Sequence, residues 1–305
     1  VSVDKTSAEA GATIKLTATA DDGYELEAFS AKDASANALT VTNGTFTMPK
    51  SNVTVSATFT EMRTKASGKI GKYEKPYKVG DIVFSDGSAT PYEDGLTLTD
   101  EQKSKAVAVI FYAGSASDIL GAKTLGVGLK NTNDETTKTL AFARDVLGNT
   151  AAAEGYNTNI TAIQCTPSES GDGKAATAKF TGDLDGSDNW TALCAAVNDE
   201  GTSGNYPAWE WVNAYATTAS LTGDYASGWY LPTLAELSML YRVKDPVNSA
   251  LEKAGGTKIA DEGYWSSSQS ASFDDCAWSV WFDVGYLNED AKFFGELSVC
   301  AVRAF

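Results

Sequence analysis

The sequence predicts an α+β protein, a small all-β module followed by a mixed domain that closes on a buried strand. Three observations predict it. The first sixty or so residues alternate apolar and polar in short runs, as in Ile14-Lys15-Leu16-Thr17-Ala18 and Val53-Thr54-Val55-Ser56-Ala57-Thr58-Phe59, the period of a half-buried strand. Later the opposite period appears: Leu234, Leu237, Leu240 and Tyr241 recur at helical spacing behind a capping box, Thr233 to Glu236. The final stretch, Gly263 to Phe305, holds Trp265, Trp278 and Trp281 and ends on the apolar run Val299-Cys300-Ala301-Val302. Such a run reads as a closing strand rather than a frayed end.

Composition excludes several function classes. With 305 residues the chain has room for one to two domains and a sizeable core. The formal net charge of −16 argues against nucleic acid and anionic lipid surfaces, because counterion release needs Lys and Arg. The absence of histidine removes Ser-His-Asp and Cys-His catalysis, His-containing zinc sites and His pH switches. Four cysteines, Cys165, Cys194, Cys276 and Cys300, show no CxxC spacing; they are open to three disulfide connectivities or to a role as buried thiols. No cofactor is expected. No apolar run approaches a membrane span. The first residues lack a signal peptide's basic and apolar regions, so a targeting segment or lipid anchor is expected upstream of Val1.

Taken in order, Val1 to Glu61 is the all-β module, with Asp22-Gly23 and Asn43-Gly44 as turn signals. Its pattern, carried by Gly11, Gly23-Tyr24, Phe46-Thr47-Met48-Pro49 and Asn52-Val53-Thr54-Val55, resembles the divergent internalin-type repeats of bacterial surface proteins. That resemblance implies a spacer or stalk. Residues 62–78 are a basic, Gly- and Lys-containing stretch and read as a linker.

The second domain is expected over 79–305. Val79 to Phe84 is a strand, followed by the turn Asp86-Gly87. Thr99 or Asp100 caps a helix ahead of Glu101 and Gln102. Ala106 to Tyr112 is a buried central strand, and Leu125 to Leu129 (LGVGL) a strand without the spacing of a dinucleotide fingerprint. Asn131 to Lys179 reads as loops with short helices. Asp183, Asp185 and Asp188 invite a calcium reading. An EF-hand counted from Asp183 would put Asp188 and Cys194 where Gly and Glu are needed, so a plain Asp-rich turn is preferred. Helices follow over Trp190–Val197, over Tyr206–Tyr215 with Trp209, Val212 and Ala216 facing the core, and from Thr233 to a stop at Asp245-Pro246. Another runs from Val247 to Ala254 and closes on Gly255-Gly256.

The succession VGDIVFSDG, AVAVIFYAG, DGSDNW, YPAWEWVNAY, GWYLPTLAEL, GYWSSS, AWSVWF and VCAVRAF resembles the C-type-lectin fold in its formylglycine-generating-enzyme subtype. Within it, the chain is similar to the variable proteins diversified by retroelements, the treponemal type in particular. The resemblance covers about Val79 to Phe305 and rests on Gly228–Glu236, Tyr264–Ser268 and Ala301–Phe305 in combination. It implies a lectin-like domain whose last segment, about 264–305, is a variable region displaying a ligand-binding surface. Two departures matter: no thiol has an evident activating neighbour for the subtype's oxidase chemistry, and the Glu-Pro-Asn, Gln-Pro-Asp and Trp-Asn-Asp motifs of calcium-bridged sugar binding are absent.

The residues of this segment divide by the period of two. Trp278, Val280, Phe282 and Val284 share one apolar face, expected in the core; Ser279, Trp281 and Asp283 share the other, expected at the surface. Ser270, Ser272, Phe273, Asp274, Asp275 and Cys276 form a loop with no packing pattern, in which Phe273 is a candidate anchor. Tyr286, Leu287, Phe293, Phe294 and Glu296 complete the candidate ligand-binding set, although Trp281, Phe293 and Phe294 are also readable as core aromatics of an ordinary hairpin. Tyr264, Trp265, Val302, Arg303 and Phe305 read as fixed frame. The expected function is a non-enzymatic protein displayed at the cell surface or outer membrane, recognising a protein or other macromolecular ligand. The alternative is a structural or adhesive envelope protein with no diversified site.

Overall fold

A computed structural model describes residues 1–20, 24–61, 63–134, 139–145, 153, 155–169, 174–197, 204–295 and 297–305. The expected turn at Asp22-Gly23 and the candidate Glu296 fall outside them. The chain divides into two units, Val1–Thr64 and Lys65–Phe305.

The first unit is all β. Its strands are β1 (Ser2–Val3), β2 (Thr13–Thr17), β3 (Tyr24–Asp33), β4 (Ala38–Leu39), β5 (Thr45–Thr47) and β6 (Val53–Glu61). They form two antiparallel sheets in the orders β1-β2-β5 and β4-β3-β6. Alternation works as expected in β2, where Ile14 and Leu16 are buried between exposed Thr13, Lys15 and Thr17, and meet Ala31 and Phe46 in a small core. Asn43 and Gly44 both take positive φ between Thr42 and Thr45, whose backbones exchange two hydrogen bonds, as a tight primed hairpin turn requires. The alternation of β6 fails at its end. A register shift between Leu26 and Ala28 changes the parity of the β3–β6 ladder, and Leu26 and Phe59 lie opposite one another and exposed.

The second unit mixes strands and short helices. In chain order it comprises β7 (Asp81–Phe84), β8 (Ala89–Pro91), α1 (Asp100–Lys105), β9 (Ala106–Ala113), β10 (Thr124–Asn131), β11 (Cys165–Glu169), β12 (Lys179–Gly182), α2 (Asn189–Val197), α3 (Pro207–Asn213), α4 (Tyr215–Thr218), α5 (Leu234–Arg242) and α6 (Lys244–Ala254). It ends with β13 (Gly263–Gln269), β14 (Cys276–Trp281), β15 (Tyr286–Ala291) and β16 (Cys300–Ala304). The stretch read as a linker belongs largely to this unit. Tyr73 bridges both Lys65 and Ala89, and the backbone N–H groups of Tyr77 and Lys78 donate to Asp81.

Five antiparallel strands, in the order β16-β10-β9-β7-β8, form its central sheet. The run AVAVIFY is buried throughout because both faces of β9 are covered. Val109 and Phe111 point into a cluster with Leu234, Leu237, Leu240, Val247 and Leu251 of α5 and α6; Ala108 and Ile110 point into another with Trp209, Val212, Tyr215 and Trp265. Each such leucine or phenylalanine taken fully out of water contributes roughly 1.5–3 kcal/mol. Gly128 of LGVGL is explained by packing, since a Cβ there would collide with the Tyr215 hydroxyl. The closing run pairs with β10, and Val299, Cys300, Ala301 and Val302 are fully buried.

The expected capping box forms at Thr233 with Glu236, and of the two candidate caps of α1 it is Thr99 that caps, in a box with Gln102. Other expectations need correction. α5 is buried on nearly every side from Leu234 to Leu240, not along one stripe. Asp245-Pro246 does not separate the helices: α6 starts at Lys244, and Pro246 sits in its first turn, where its missing N–H has no helical acceptor. Asn131–Lys179 contains, beyond loops, most of a hairpin, β11 paired with β12. None of the four cysteines is in a disulfide.

Candidate functional site

The candidate surface is built on the second sheet of this unit, in the order β13-β14-β15. β13 is the run GYWSSSQ, and every residue in it is buried. A buried hydroxyl needs a partner, and each serine has one. Ser266 Oγ donates to the Trp278 carbonyl at 2.7 Å. Ser267 Oγ accepts from Asn189 Nδ2 at 2.9 Å, tying in α2. Ser268 Oγ accepts the Leu234 N–H at 2.9 Å, one of the orphan donors at the start of α5. The Trp265 indole donates to the Leu140 carbonyl at 2.7 Å. β13 is thus a rigid back wall, fastened by polar contacts to elements far away in sequence.

β14 lies between β13 and β15, and both its faces are covered. Val280 and Trp278 pack with the helix-bearing cluster; Ala277 and Trp281 pack with the tryptophan-rich one. This corrects the expected division into core and display. Ser279 has no exposed surface, and its hydroxyl donates to Asp290 Oδ2 at 2.6 Å. Trp281 is half-buried, lying over Gly263, its partner in the β13–β14 ladder; its indole donates to the same carboxylate oxygen at 3.4 Å. Asp290 Oδ1 accepts from Asn288 Nδ2 at 2.7 Å, so one carboxylate organises three neighbours. The strand ends at Trp281, and the alternation ends with it: Asp283 is exposed as expected, but Val284, expected in the core, is 47% exposed.

The loop before β14 is also part frame. Ser270 was expected at the surface but is fully buried; its hydroxyl donates to Glu289 Oε1 at 2.5 Å and accepts the N–H groups of Ser272 and Phe273, both at 3.0 Å. The tip beyond it projects into solvent, with Ser272, Phe273 and Asp274 exposed and Asp275 and Cys276 half-buried. Burial and the neighbouring Asp275 push the Cys276 thiol up to about 11, so it is protonated at neutral pH and a poor nucleophile. On β15, Tyr286 is exposed and Leu287 is half-buried against the helix-side cluster. After it, Phe293 is exposed and Phe294 half-buried against the tryptophan-rich cluster.

Sequence reasoning missed Lys292. It is fully buried, and its ammonium donates to the carbonyls of Gly155 at 2.7 Å, Tyr156 at 3.2 Å, Thr158 at 3.4 Å and Asp274 at 2.6 Å. Burial brings this group down to about 8, against the pull of Asp274 and Asp275 toward the charged form. The lysine pins the Phe273 loop and the segment 155–158 to the end of β15. Only a lone Lys between apolar residues, Ala291 and Phe293, marked it in the sequence.

The second cluster missed is centred on Glu236, also fully buried. Its carboxylate accepts from the Thr233 N–H at 2.9 Å, the Gly186 N–H at 3.3 Å and the Tyr230 hydroxyl at 2.9 Å, joining GWYLPT to the Asp-rich turn. Burial raises it to about 7. In that turn, Asp183 accepts the Asp185 N–H, Asp185 accepts the Ser187 N–H, and Asp185 pairs with Lys123 at 2.7 Å. Among the described residues no group of three or more Asp, Glu, Cys or His side chains could hold a metal ion.

A cleft of about 550 Å³ lies beside the hairpin turn, lined by Tyr241, Arg242, Lys244, Asp245, Phe282 and Asp283 among others. Its cations are already engaged. Arg242 donates to the carbonyls of Ala175 and Ala178, and Lys244 to Asp261 and the Phe282 carbonyl.

The divergent InlB B-repeat domain family matches residues 1–63, the all-β unit. No curated protein matches the chain. Among solved structures the chain is similar to a fimbrial protein from Bacteroides ovatus ATCC 8483, at 12% identity and a TM-score of 0.50, over 92% of this chain. The match spans 65% of that protein's chain, less than two-thirds of its length. At that identity the likeness speaks for the fold alone. Among the described residues no helix is long and apolar enough to cross a membrane.

Proposed function

We propose that the second unit is a recognition domain of a surface protein, with a C-type-lectin-like fold of the formylglycine-generating-enzyme subtype. Its binding face is the Phe273 loop, the β14–β15 hairpin and the turn at Phe293. The observation that carries this reading is the distribution of exposed large apolar side chains. Among the described residues of the second unit there are four, Phe273, Val284, Tyr286 and Phe293, and all lie between positions 273 and 293. Exposed apolar side chains gathered at the two ends of one hairpin support an interaction site, and aromatic anchors on a rigid support bind at low entropic cost. The support here is the buried frame of Tyr264, Trp265, Val280 and Phe282. The role is binding rather than catalysis, and the ligand is a protein or other macromolecule. The positions free to vary are the exposed ones, Ser272, Phe273, Asp274, Asp283, Tyr286 and Phe293.

Sequencing this gene from many members of one population tests the reading. Changes concentrated at those codons, with Tyr264, Trp265, Ser279 and Val280 constant, support a diversified binding face; an even spread sinks it. An even spread would favour the second reading, a structural or adhesive envelope protein, which draws on the likeness to a fimbrial protein over 92% of the chain. Attachment to the cell surface is part of both readings and agrees with the InlB-type repeat.

A further inference from the structure

We propose that the Phe273–Phe293 end of this face takes a partner protein through lysine or arginine side chains. The inference rests on the reading of the face as a binding surface and adds the chemistry of its partner. Phe273 and Phe293 are 54% and 43% exposed. Their chain neighbours are joined: Lys292 donates its backbone N–H to the Asp275 carbonyl at 2.8 Å and its ammonium to the Asp274 carbonyl at 2.6 Å. The loop carrying one ring is thereby tied to the turn carrying the other.

Along the chain the charge here is one-sided, and one exposed cation from elsewhere comes close: Arg144 follows Ala143, whose N–H donates to the Lys292 carbonyl at 3.0 Å. Between Ser270 and Gly295 the sequence holds five carboxylates, Asp274, Asp275, Asp283, Glu289 and Asp290, and a single cation, Lys292. That cation is turned inward and spends its donors on four carbonyls, so it offers nothing to a ligand. Asp274 is exposed and Asp275 half-exposed, and among the described residues neither forms an ion pair. The face of a phenyl ring is electron-rich and attracts ammonium and guanidinium groups, and adjacent carboxylates reinforce that attraction. Lys and Arg also carry apolar stems that can lie along a ring while the charged head reaches a carboxylate. The hairpin's other end lacks this bias: Lys174 lies 5.8 Å from the Tyr286 ring centroid, and Arg242 and Lys244 line the cleft beside Asp283. The net charge of −16 adds long-range steering of a basic partner.

The test is selection of phage-displayed random dodecapeptides on the full chain, keeping those lost on Phe273→Ser/Phe293→Ser. Enrichment of Lys and Arg in the retained peptides is the expected result. Binding of one such peptide, followed by fluorescence anisotropy, should weaken about tenfold or more in Asp274→Asn/Asp275→Asn. It should stay within about twofold in Asp100→Asn/Glu101→Gln, which removes as much charge elsewhere. Patch-dependent peptides without basic enrichment would overturn the cationic partner and leave the binding face standing. Equal weakening by both charge-removing pairs would reduce the effect to net charge and also overturn it. Failure to retain any patch-dependent peptide would overturn both the partner and the face, as would patch-dependent capture of glycans alone for a protein partner.

Discussion

The fully buried Ser279 hydroxyl donates to the half-buried Asp290 carboxylate at 2.6 Å, between neighbouring strands. This contact makes Ser279 part of the frame. Ser279→Ala should destabilise the protein by about 1–2 kcal/mol. Asp290→Ala should cost more, because it strands a buried hydroxyl and frees the Trp281 indole and the Asn288 amide. Urea unfolding of the two variants checks this; a neutral Asp290→Ala would contradict it.

The exposed aromatics should behave oppositely. Phe273→Ser removes a ring that is 54% exposed and should shift unfolding free energy by less than about 0.5 kcal/mol, while Phe293→Ser also loses a ring contact with Tyr156 and should cost about 1 kcal/mol. Phe282→Ala removes a ring with 1% exposure packed against Tyr241 and Tyr264, and should cost about 3–5 kcal/mol. Thermal melts of the three variants separate frame from display.

Lys292 gives a pH signature at the alkaline end. Its folded value, about 8, lies below the ordinary 10.5. Between these values the unfolded chain holds the proton more tightly, so unfolding free energy should rise with pH across this window, by at most about 3 kcal/mol from this group. Lys292→Met should lack that rise relative to the parent protein. It should also speed amide hydrogen exchange in the Phe273 loop, which loses its tie at Asp274. An unchanged pH dependence in the variant would count against the assignment.

Glu236 gives the complementary signature on the acid side. Its folded value is raised from 4.5 to about 7. Between pH 4.5 and 7 the folded protein holds a proton that the unfolded chain has released. The stability this group contributes is therefore complete below 4.5 and is lost as pH rises through 7, on the order of 3 kcal/mol in all. Glu236→Gln keeps a side chain able to complete the capping box and should flatten that slope relative to the parent. Equilibrium unfolding at pH 4.5, 6 and 7.5 would reveal it.

Much of this fold was readable from local pattern. The seven-residue run of β9, the Thr233–Glu236 capping box and the closing strand rest on interactions whose partners are near in sequence, or on apolar runs too continuous to lie anywhere but inside. The candidate site was less legible. Alternation along Trp278–Trp281 separates two faces, but not whether the second is covered. Here it is covered by residues such as Trp265 and Leu297, which belong to other elements. Ser270 looked like loop because its acceptor, Glu289, lies across a hairpin. Lys292 gave only the signal of a lone Lys between apolar neighbours, since all its acceptors are backbone carbonyls, which no side-chain pattern encodes. One bulge in β3 places Leu26 opposite Phe59 near the end of the ladder, where both are exposed.

The pairing of β16 with β10 sets a condition on how this protein is made. Val302 lies opposite Val127, and Tyr230 exchanges two backbone hydrogen bonds with Val302, so the central sheet and the GWYLPT segment both wait for residues translated after the whole 270–295 segment. A shift of reading frame or a stop within that segment removes the strand that completes the sheet, whereas an in-frame substitution at Phe273 or Tyr286 leaves it untouched. A chain that loses its frame upstream of β16 thus lacks the edge strand of the central sheet and the backbone partner of Tyr230.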